Sequence, residues 1–305
     1  MKRREFIVKS ATAGTFISLF GPHLLDFSLD QPKKITILHT NDTHSHVEAF
    51  DASHARYPNQ GGVARRAKMI NDIRQENENV LLLDAGDIFQ GTPYFNFYGG
   101  ELEIKLMNML KYDAATLGNH EFDNGINSLA EQMYKADFEV LSANYDFSNT
   151  PMNGLAKPYK IFQIDGLKIG VFGLGVRLQG LVNQREYGET KYLSPIEITQ
   201  DMVRILKKEN KCDLVICLSH LGYQYNDDSL ISDVVLAQQT QDIDLIIGGH
   251  THTFLDKPQV FKNKIGKKVI VNQVGCFGLR LGRIDFYFDD KQPITNSGQN
   301  IDISS

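Results

Sequence analysis

The chain has 305 residues, 42% hydrophobic and 23% charged, which excludes a wholly disordered polypeptide and allows a sizeable core in one large domain or two small ones. A net charge of −5 excludes the chain-wide basic footprint of a nucleic-acid binder, so neither DNA nor RNA is an expected partner. Cys212, Cys217 and Cys276 are too few, and odd in number, for a disulfide framework, and each is expected to pack as a small apolar residue.

The chain opens Met1-Lys2-Arg3-Arg4-Glu5-Phe6, and a modestly apolar stretch follows over residues 10–25. A basic start and a short apolar run are the pattern of an export signal. The paired arginines, with Phe6 and Lys9 after them, resemble a twin-arginine signal. The apolar run falls short of the ~20 residues needed to span a bilayer, and no longer run follows, so no stable membrane span is expected. Residues 1–30 are assigned to this signal. The expected location is periplasmic or otherwise exported, with retention by an uncleaved signal as the alternative, since no clear cleavage site stands out.

Residues 34–39 predict a strand rich in β-branched side chains, running into Thr40-Asn41-Asp42-Thr43-His44. After Gly61-Gly62 a helical period sets Val63, Met69, Ile70 and Ile73 on one face. A strand over 80–83 ends in Asp84-Ala85-Gly86-Asp87, and a helix over 102–110 leads to a strand over 114–117 that ends in Gly118-Asn119-His120-Glu121. A helix over 128–136 and a strand over 140–144 come next. Apolar runs on either side of Asp165-Gly166, within 161–174, predict a hairpin. A helix over 195–208 precedes a strand over 214–218 ending in Ser219-His220. A helix over 230–239 precedes a strand over 245–247 ending in Gly248-Gly249-His250-Thr251-His252. Strands over 269–274 and 282–288 complete the body, and the polar tail 289–305 is expected to be loose.

Strands alternate with helices throughout, so the fold class is α/β. Five short apolar strands end in Asp, Asn or His. Ligand sites of open α/β sheets lie beyond the carboxyl ends of strands, so these five endings are expected to converge on one edge. Together they offer imidazole nitrogens and carboxylate or amide oxygens but no thiolate, a set that suits Zn, Mn, Fe, Co or Ni. On extended backbone, residues at i and i+2 point the same way, so Asp42 with His44, and His250 with His252, are each expected to clamp one ion. Seven candidate ligands exceed the needs of one four-coordinate metal, whereas two metals sharing a bridging carboxylate use them naturally. Taken singly, each piece is more readily structural: an Asp entering a loop, a capping residue, a hydrogen-bonded histidine. All five in this order at strand ends carry the signal.

The order Asp-x-His, Gly-Asp, Gly-Asn-His-Glu, His, Gly-His-x-His resembles that of the calcineurin-like metallophosphoesterases. Thr40-Asn41-Asp42-Thr43-His44, Gly61-Gly62-Val63-Ala64-Arg65, Gly91-Thr92-Pro93 and Gly118-Asn119-His120-Glu121-Phe122-Asp123 are similar to the bacterial 5′-nucleotidase branch. The resemblance covers residues 34 to about 288, and residues 31–288 are assigned to a metallophosphoesterase domain. It implies a four-layer α/β/β/α sandwich and two divalent ions, zinc or manganese. Asp42, His44 and His252 are then implied to hold one ion, and Asn119, His220 and His250 the other, with Asp87 bridging. The family often has Gln where this chain has His252. His120, oriented by Asp123, is implied to contact the substrate phosphate. A metal-bridging hydroxide would attack phosphorus, while His120 stabilises the transition state or protonates the leaving group.

The substrate so implied is a phosphate ester, most naturally a nucleotide. Relatives in this branch carry a second, C-terminal domain that stacks the nucleobase, and it is not in this sequence. A separate chain carrying that domain is therefore the expected partner. Alternatives are a UDP-sugar hydrolase, a 2′,3′-cyclic nucleotide phosphodiesterase, a thiosulfohydrolase-like enzyme, or a non-catalytic metal-binding subunit. The intact His120 and Asp123 weigh against the last. A dinucleotide-binding reading from Gly173-Leu174-Gly175 fails, because residue 178 is Leu. Tyr94, Phe95, Phe97 and Tyr98 form an aromatic cluster that lines either a cleft or the core, core being the commoner use. His46 stands near the first ligand pair and reads as a surface histidine.

Overall fold

The computed structural model of the chain describes residues 32–227 and 229–304. The expected export signal, residues 1–30, lies outside them. In chain order the first elements are β1 (Lys33–Thr40), α1 (Val63–Glu76), β2 (Val80–Asp84), α2 (Pro93–Tyr98), α3 (Glu101–Leu110), β3 (Ala114–Thr116), α4 (Gly125–Met133), β4 (Glu139–Leu141), β5 (Tyr145–Asp146), β6 (Tyr159–Ile164) and β7 (Leu167–Leu174). They continue with α5 (Gln184–Tyr187), β8 (Lys191–Tyr192), α6 (Pro195–Val203), β9 (Leu214–Ser219), α7 (Asp233–Gln239), β10 (Leu245–Gly248), β11 (Gln259–Lys262), β12 (Lys268–Asn272), β13 (Arg280–Asp289) and β14 (Gln292–Asp302).

Two six-stranded sheets result, ordered β14-β13-β1-β2-β3-β4 and β11-β12-β10-β9-β7-β6. Strands β1 to β4 run parallel, as do β7, β9, β10 and β12, so the chemistry-bearing ends of each sheet share one edge. The strand alternation builds the layers. Ile35, Ile37, Leu81 and Leu83 of the first sheet meet Ile169, Ile216, Leu218 and Ile247 of the second in an apolar interior. The intervening Leu38 and Leu82 face the opposite way, against Ile70 and Ile73 of α1 and Ile104 and Met107 of α3. Val215 and Cys217 of β9 likewise face Met202 of α6 and Leu236 of α7. Both faces of the central strands are covered, which is why they read as continuous apolar runs. The architecture is the expected α/β/β/α sandwich.

The hairpin forms at Asp165-Gly166, with φ of 50° and 76°, the two positive angles a two-residue turn of this hand requires. The helix expected over 230–239 starts only at Asp233, because the Ser232 hydroxyl accepts from the Val235 N–H and caps it there. The helix expected over 195–208 relaxes after Val203 into a π-helical stretch, Arg204–Glu209.

The expected loose tail is a correction. Strand β14 pairs antiparallel with β13 from Asp289↔Gln292 to Arg280↔Asp302. Ile303, fully buried, accepts from the Gly61 N–H at 2.7 Å and donates to the Leu279 carbonyl at 2.8 Å. The strand carried no hydrophobic signal because its side chains are almost all exposed and polar; backbone pairing and one terminal anchor hold it.

Candidate metal centre

The five strand ends meet. Asp42 and His44 follow β1, Asp87 follows β2, Asn119 and His120 follow β3, His220 follows β9, and His250 and His252 follow β10. The loops after β1 and β2 are tied together by backbone bonds from Asp42 N–H to Gly86 O (2.9 Å) and His44 N–H to Asp87 O (3.1 Å). Across the two sheets, the Asp42 carboxylate accepts from the His250 N–H at 2.9 and 3.1 Å, and Asp87 Oδ2 lies 3.0 Å from His220 Nε2.

The candidate ligands fall into two groups. Asp42, His44, Asp87 and His252 present one ligand atom each within 4.8 Å of one another, and so do Asp87, His220 and His250. Asp87 belongs to both. Asn119 adds a buried Oδ1 that has no hydrogen-bond partner among the described residues, and His220 Nε2 is likewise buried without one. A buried polar atom without a partner is costly, and here each is a lone pair suited to a cation. The nitrogen-and-oxygen donor set and these two orphaned atoms fit a pair of divalent ions.

One geometric expectation is corrected. His250 and His252 do not clamp a single ion; they turn to different groups. The backbone there is not extended: φ is 74° at His250 and 52° at His252, and it is also positive at Asp42, His44 and Asp87. Left-handed conformations at five non-glycine residues of one site cost free energy that the surrounding bonds must offset.

At Asp87 those bonds come from a side chain the sequence offered without a role. Glu121, 1% exposed, accepts from the N–H groups of Gly118 (2.5 Å), Asp87 (2.9 Å), Ile88 (2.7 Å) and Phe89 (3.2 Å). It therefore fixes the loop that carries Asp87. Close approach explains two glycines. A Cβ on Gly118 would stand 2.2 Å from Asp87 Oδ1, and one on Gly249 2.8 Å from His220 Nδ1. His220 Nδ1 donates to Ala85 O at 2.7 Å, and His44 Nδ1 faces Phe89 O at 3.3 Å. Each bond assigns the proton to Nδ1 and leaves Nε2 as the ligand atom.

The carboxylates set the potential. Burial disfavours a charged His220, yet Asp87 beside it pushes its pKa up to about 10. Burial is likewise outweighed at His252, which Asp42 and Cys276 push up to about 10. His250 falls to about 4, because burial and the neighbouring His220 oppose its charge. The centre is thus a negative well that draws positive charge.

His120 stands at the rim. Its N–H donates to Asp87 Oδ1 at 2.9 Å, its ring centroid lies 5.2 Å from that of His44, and its Nδ1 is 2.7 Å from Asp123 Oδ2 across one turn of 3-10 helix. The hydrogen bond to Asp123 raises the His120 pKa. His46 is not an isolated surface residue: it packs between Phe50 and Phe277, at 4.8 and 4.4 Å between centroids. Phe277, absent from the expectations, borders both His44 and His252 at 5.9 Å; the glycines two residues before and one after it were the only trace of its loop. Cys212 and Cys217 pack in the apolar layer, and Cys276 is likewise a buried free thiol, as expected. The aromatic cluster divides: Phe95 is buried against Phe89, whereas Phe97 is 81% exposed.

Two facing sheets with a seven-residue Asp/His/Asn centre at their common edge define a phosphoesterase fold. The chain belongs to the calcineurin-like phosphoesterase family, whose pattern it matches over residues 35–254. It is similar to a trifunctional nucleotide phosphoesterase of Bacillus subtilis, with 33% identity over 98% of this chain and 21% of that protein. It is also similar to the 5′-nucleotidase of Homo sapiens, with 35% identity over 88% of this chain and 49% of the other. The crystal structure of a 5′-nucleotidase precursor from Thermus thermophilus superimposes with a TM-score of 0.80 at 35% identity, over 88% of this chain and 54% of that one. The chain thus spans about half the length, or less, of the curated relatives it matches.

Proposed function

We propose that this domain is a dinuclear-metal phosphoesterase acting on nucleotides. The observation that carries the reading is Asp87: one carboxylate shared by two ligand groups, with His120 and Asp123 beside it. Asp42, His44, Asp87 and His252 would hold one ion, and Asp87, Asn119, His220 and His250 the other. Zinc or manganese suits this donor set. Bound there, the ions supply positive charge to phosphate oxygens and acidify water near neutral pH.

The chain's own groups do the rest. Glu121 keeps Asp87 in place, and the Ala85 carbonyl fixes the His220 tautomer. Asp123 holds the proton of His120 on Nδ1 and orients the ring. Nε2 is then the atom that faces substrate, where the protonated imidazole stabilises the charge developing on phosphate or donates its proton to the leaving oxygen. Arg3-Arg4 and Phe6 support export by the twin-arginine route and hence a periplasmic location. A separate chain carrying a second nucleotidase domain is part of the same proposal, and it is tested by whether such a chain lowers the KM for nucleotides.

The test of the chemistry is hydrolysis of AMP, UDP-glucose, 2′,3′-cyclic AMP and bis(p-nitrophenyl) phosphate by metal-stripped protein refilled with Mn²⁺ or Zn²⁺. Metal-dependent phosphate release from AMP is expected, and Asp87→Asn should abolish it together with stoichiometric binding of two ions. Absence of turnover on every ester, despite two bound ions, would sink the proposal.

A further inference from the structure

Asn41 stands between β1 and the first candidate ligand, Asp42, and the proposed chemistry gives it no role. It is 1% exposed, and each polar atom of its side chain has a partner. Nδ2 donates to Asp42 Oδ2 at 2.5 Å and to Gly275 O at 2.7 Å, and Oδ1 accepts from the Val274 N–H at 3.0 Å. These partners settle the orientation of the amide: an N–H group needs its oxygen, while a carboxylate and a carbonyl need its nitrogen. Val274 and Gly275 follow β12 of the second sheet. The carboxamide is therefore held from that side while it grips the carboxylate on its own.

Neighbouring side chains on extended backbone point to opposite faces. These two meet because the chain turns left-handed at Asp42, where φ is 49°. The Asp42 backbone is tied at both ends: its N–H donates to Gly86 O at 2.9 Å and its carbonyl accepts from the Phe277 N–H at 2.7 Å. What stays free is rotation of the carboxylate, and two donors remove it. Oδ2 takes the Asn41 bond and a share of the His250 N–H at 3.1 Å, whereas Oδ1 takes only the other share, at 2.9 Å. A carboxylate oxygen has about two lone-pair directions, so Oδ2 is filled and Oδ1 keeps one. Oδ1 lies 3.4 Å from His252 Nε2 and 4.0 Å from His220 Nε2, among the candidate ligand atoms.

We infer that Asn41 is a positioning residue that makes Asp42 a one-oxygen ligand: it occupies Oδ2 and leaves Oδ1 for the ions. The inference rests on the metal centre of the proposed function. Carboxylates bind hard cations through one oxygen or through two. A freed Asp42 would be able to close both oxygens on one ion and fill the place that a water or a phosphate oxygen needs. Asn41 keeps that place open.

The test compares the parent with Asn41→Ala by calorimetric titration of Mn²⁺ into metal-stripped protein, with melting recorded alongside. Loss of a group that orients a ligand costs about 10–100-fold in affinity, so one of the two dissociation constants should rise by that factor while the other stays within about threefold. The exchange-coupled resonance spectrum of the manganese pair should give way to that of single ions at equal loading. A lower melting temperature with both constants unchanged would make Asn41 a tie between the sheets and overturn the inference, as would an equal rise in both constants. If Asn41→Ala does not fold, zinc-loaded crystals of the parent decide. Asp42 Oδ1 is expected at about 2.0–2.2 Å from an ion, with Asn41 still bonded to Oδ2, and an ion held by both oxygens refutes the role. A parent that takes up no Mn²⁺ removes the metal reading and this inference with it. Two bound ions without turnover of any ester would remove the phosphoesterase chemistry alone, and the shifted constant would still support Asn41.

Discussion

Replacing Glu121 by Gln changes one atom and no volume, yet it should be felt throughout the centre. The carboxylate accepts from four backbone N–H groups, two on each oxygen: Ile88 and Phe89 on Oε1, Asp87 and Gly118 on Oε2. In either orientation of the amide, an NH2 replaces one of these oxygens, and two buried N–H groups face a donor. At ~1–3 kcal/mol for each unsatisfied buried donor, the loss is about 4 kcal/mol. Burial and the neighbouring Asp87 already push the Glu121 pKa up to about 7, so removing its charge recovers part of that, and a net loss of about 2 kcal/mol remains. For a domain of this size, that lowers the melting temperature by about 4–8 °C. Melting of metal-stripped parent and variant isolates this effect from ion binding. Calorimetric titration with Mn²⁺ should then show weaker binding, because the Asp87 loop is no longer pinned. Identical melting temperatures, with unchanged Mn²⁺ affinity, would refute the role assigned to Glu121.

Three further outcomes follow from the same geometry. His120→Ala should lower turnover by about 10²–10⁴-fold while both ions stay bound, as read by metal analysis; lost metal would instead make His120 a ligand. Stripping metal from the loaded protein should lower its melting temperature by roughly 10 °C, since ions present at ~100 times Kd stabilise by about 2.7 kcal/mol each; a shift under about 2 °C would argue against bound ions in the folded state. Truncation after Asp289 removes all of β14 and the buried Ile303, whose side chain alone contributes about 2 kcal/mol, and bares the edge of β13. That shortened chain should melt at least about 5 °C lower or aggregate on expression, and scanning calorimetry at matched concentration decides it.

Much of the sheet framework was legible because its strands bury both faces. Runs such as Val80 to Leu83 and Leu214 to Leu218 have no other use, and each ends where the chain must turn toward the site. What stayed hidden was whatever depends on backbone rather than on side-chain pattern. Strand β14 is held by ladder bonds beneath exposed polar side chains, so no periodicity marked it. The candidate ligands could be named from residue type and order, but their sorting could not follow from spacing. His250 and His252 part company because both adopt positive φ, which the i, i+2 rule for extended chain does not cover. Glu121 stood in view within Asn119-His120-Glu121, but four convergent N–H groups belong to two separate loops and are invisible in one dimension.

The centre draws Asp42, Asp87 and Asn119 from one sheet and His220, His250 and His252 from the other. It is a seam, and a seam measures alignment. Between the sheets lie mostly apolar side chains such as Ile37, Leu83, Ile216 and Leu218, joined at one side by the buried His39–Asn272 and Asn272–Asn300 hydrogen bonds, and their shapes set much of the offset of one sheet against its neighbour. A methyl group added or removed there would slide the two halves of the ligand set past one another without touching a ligand. Reactivity at the rim is therefore tuned from the middle of the sandwich, and substitutions far from any polar atom will be among those that change the rate.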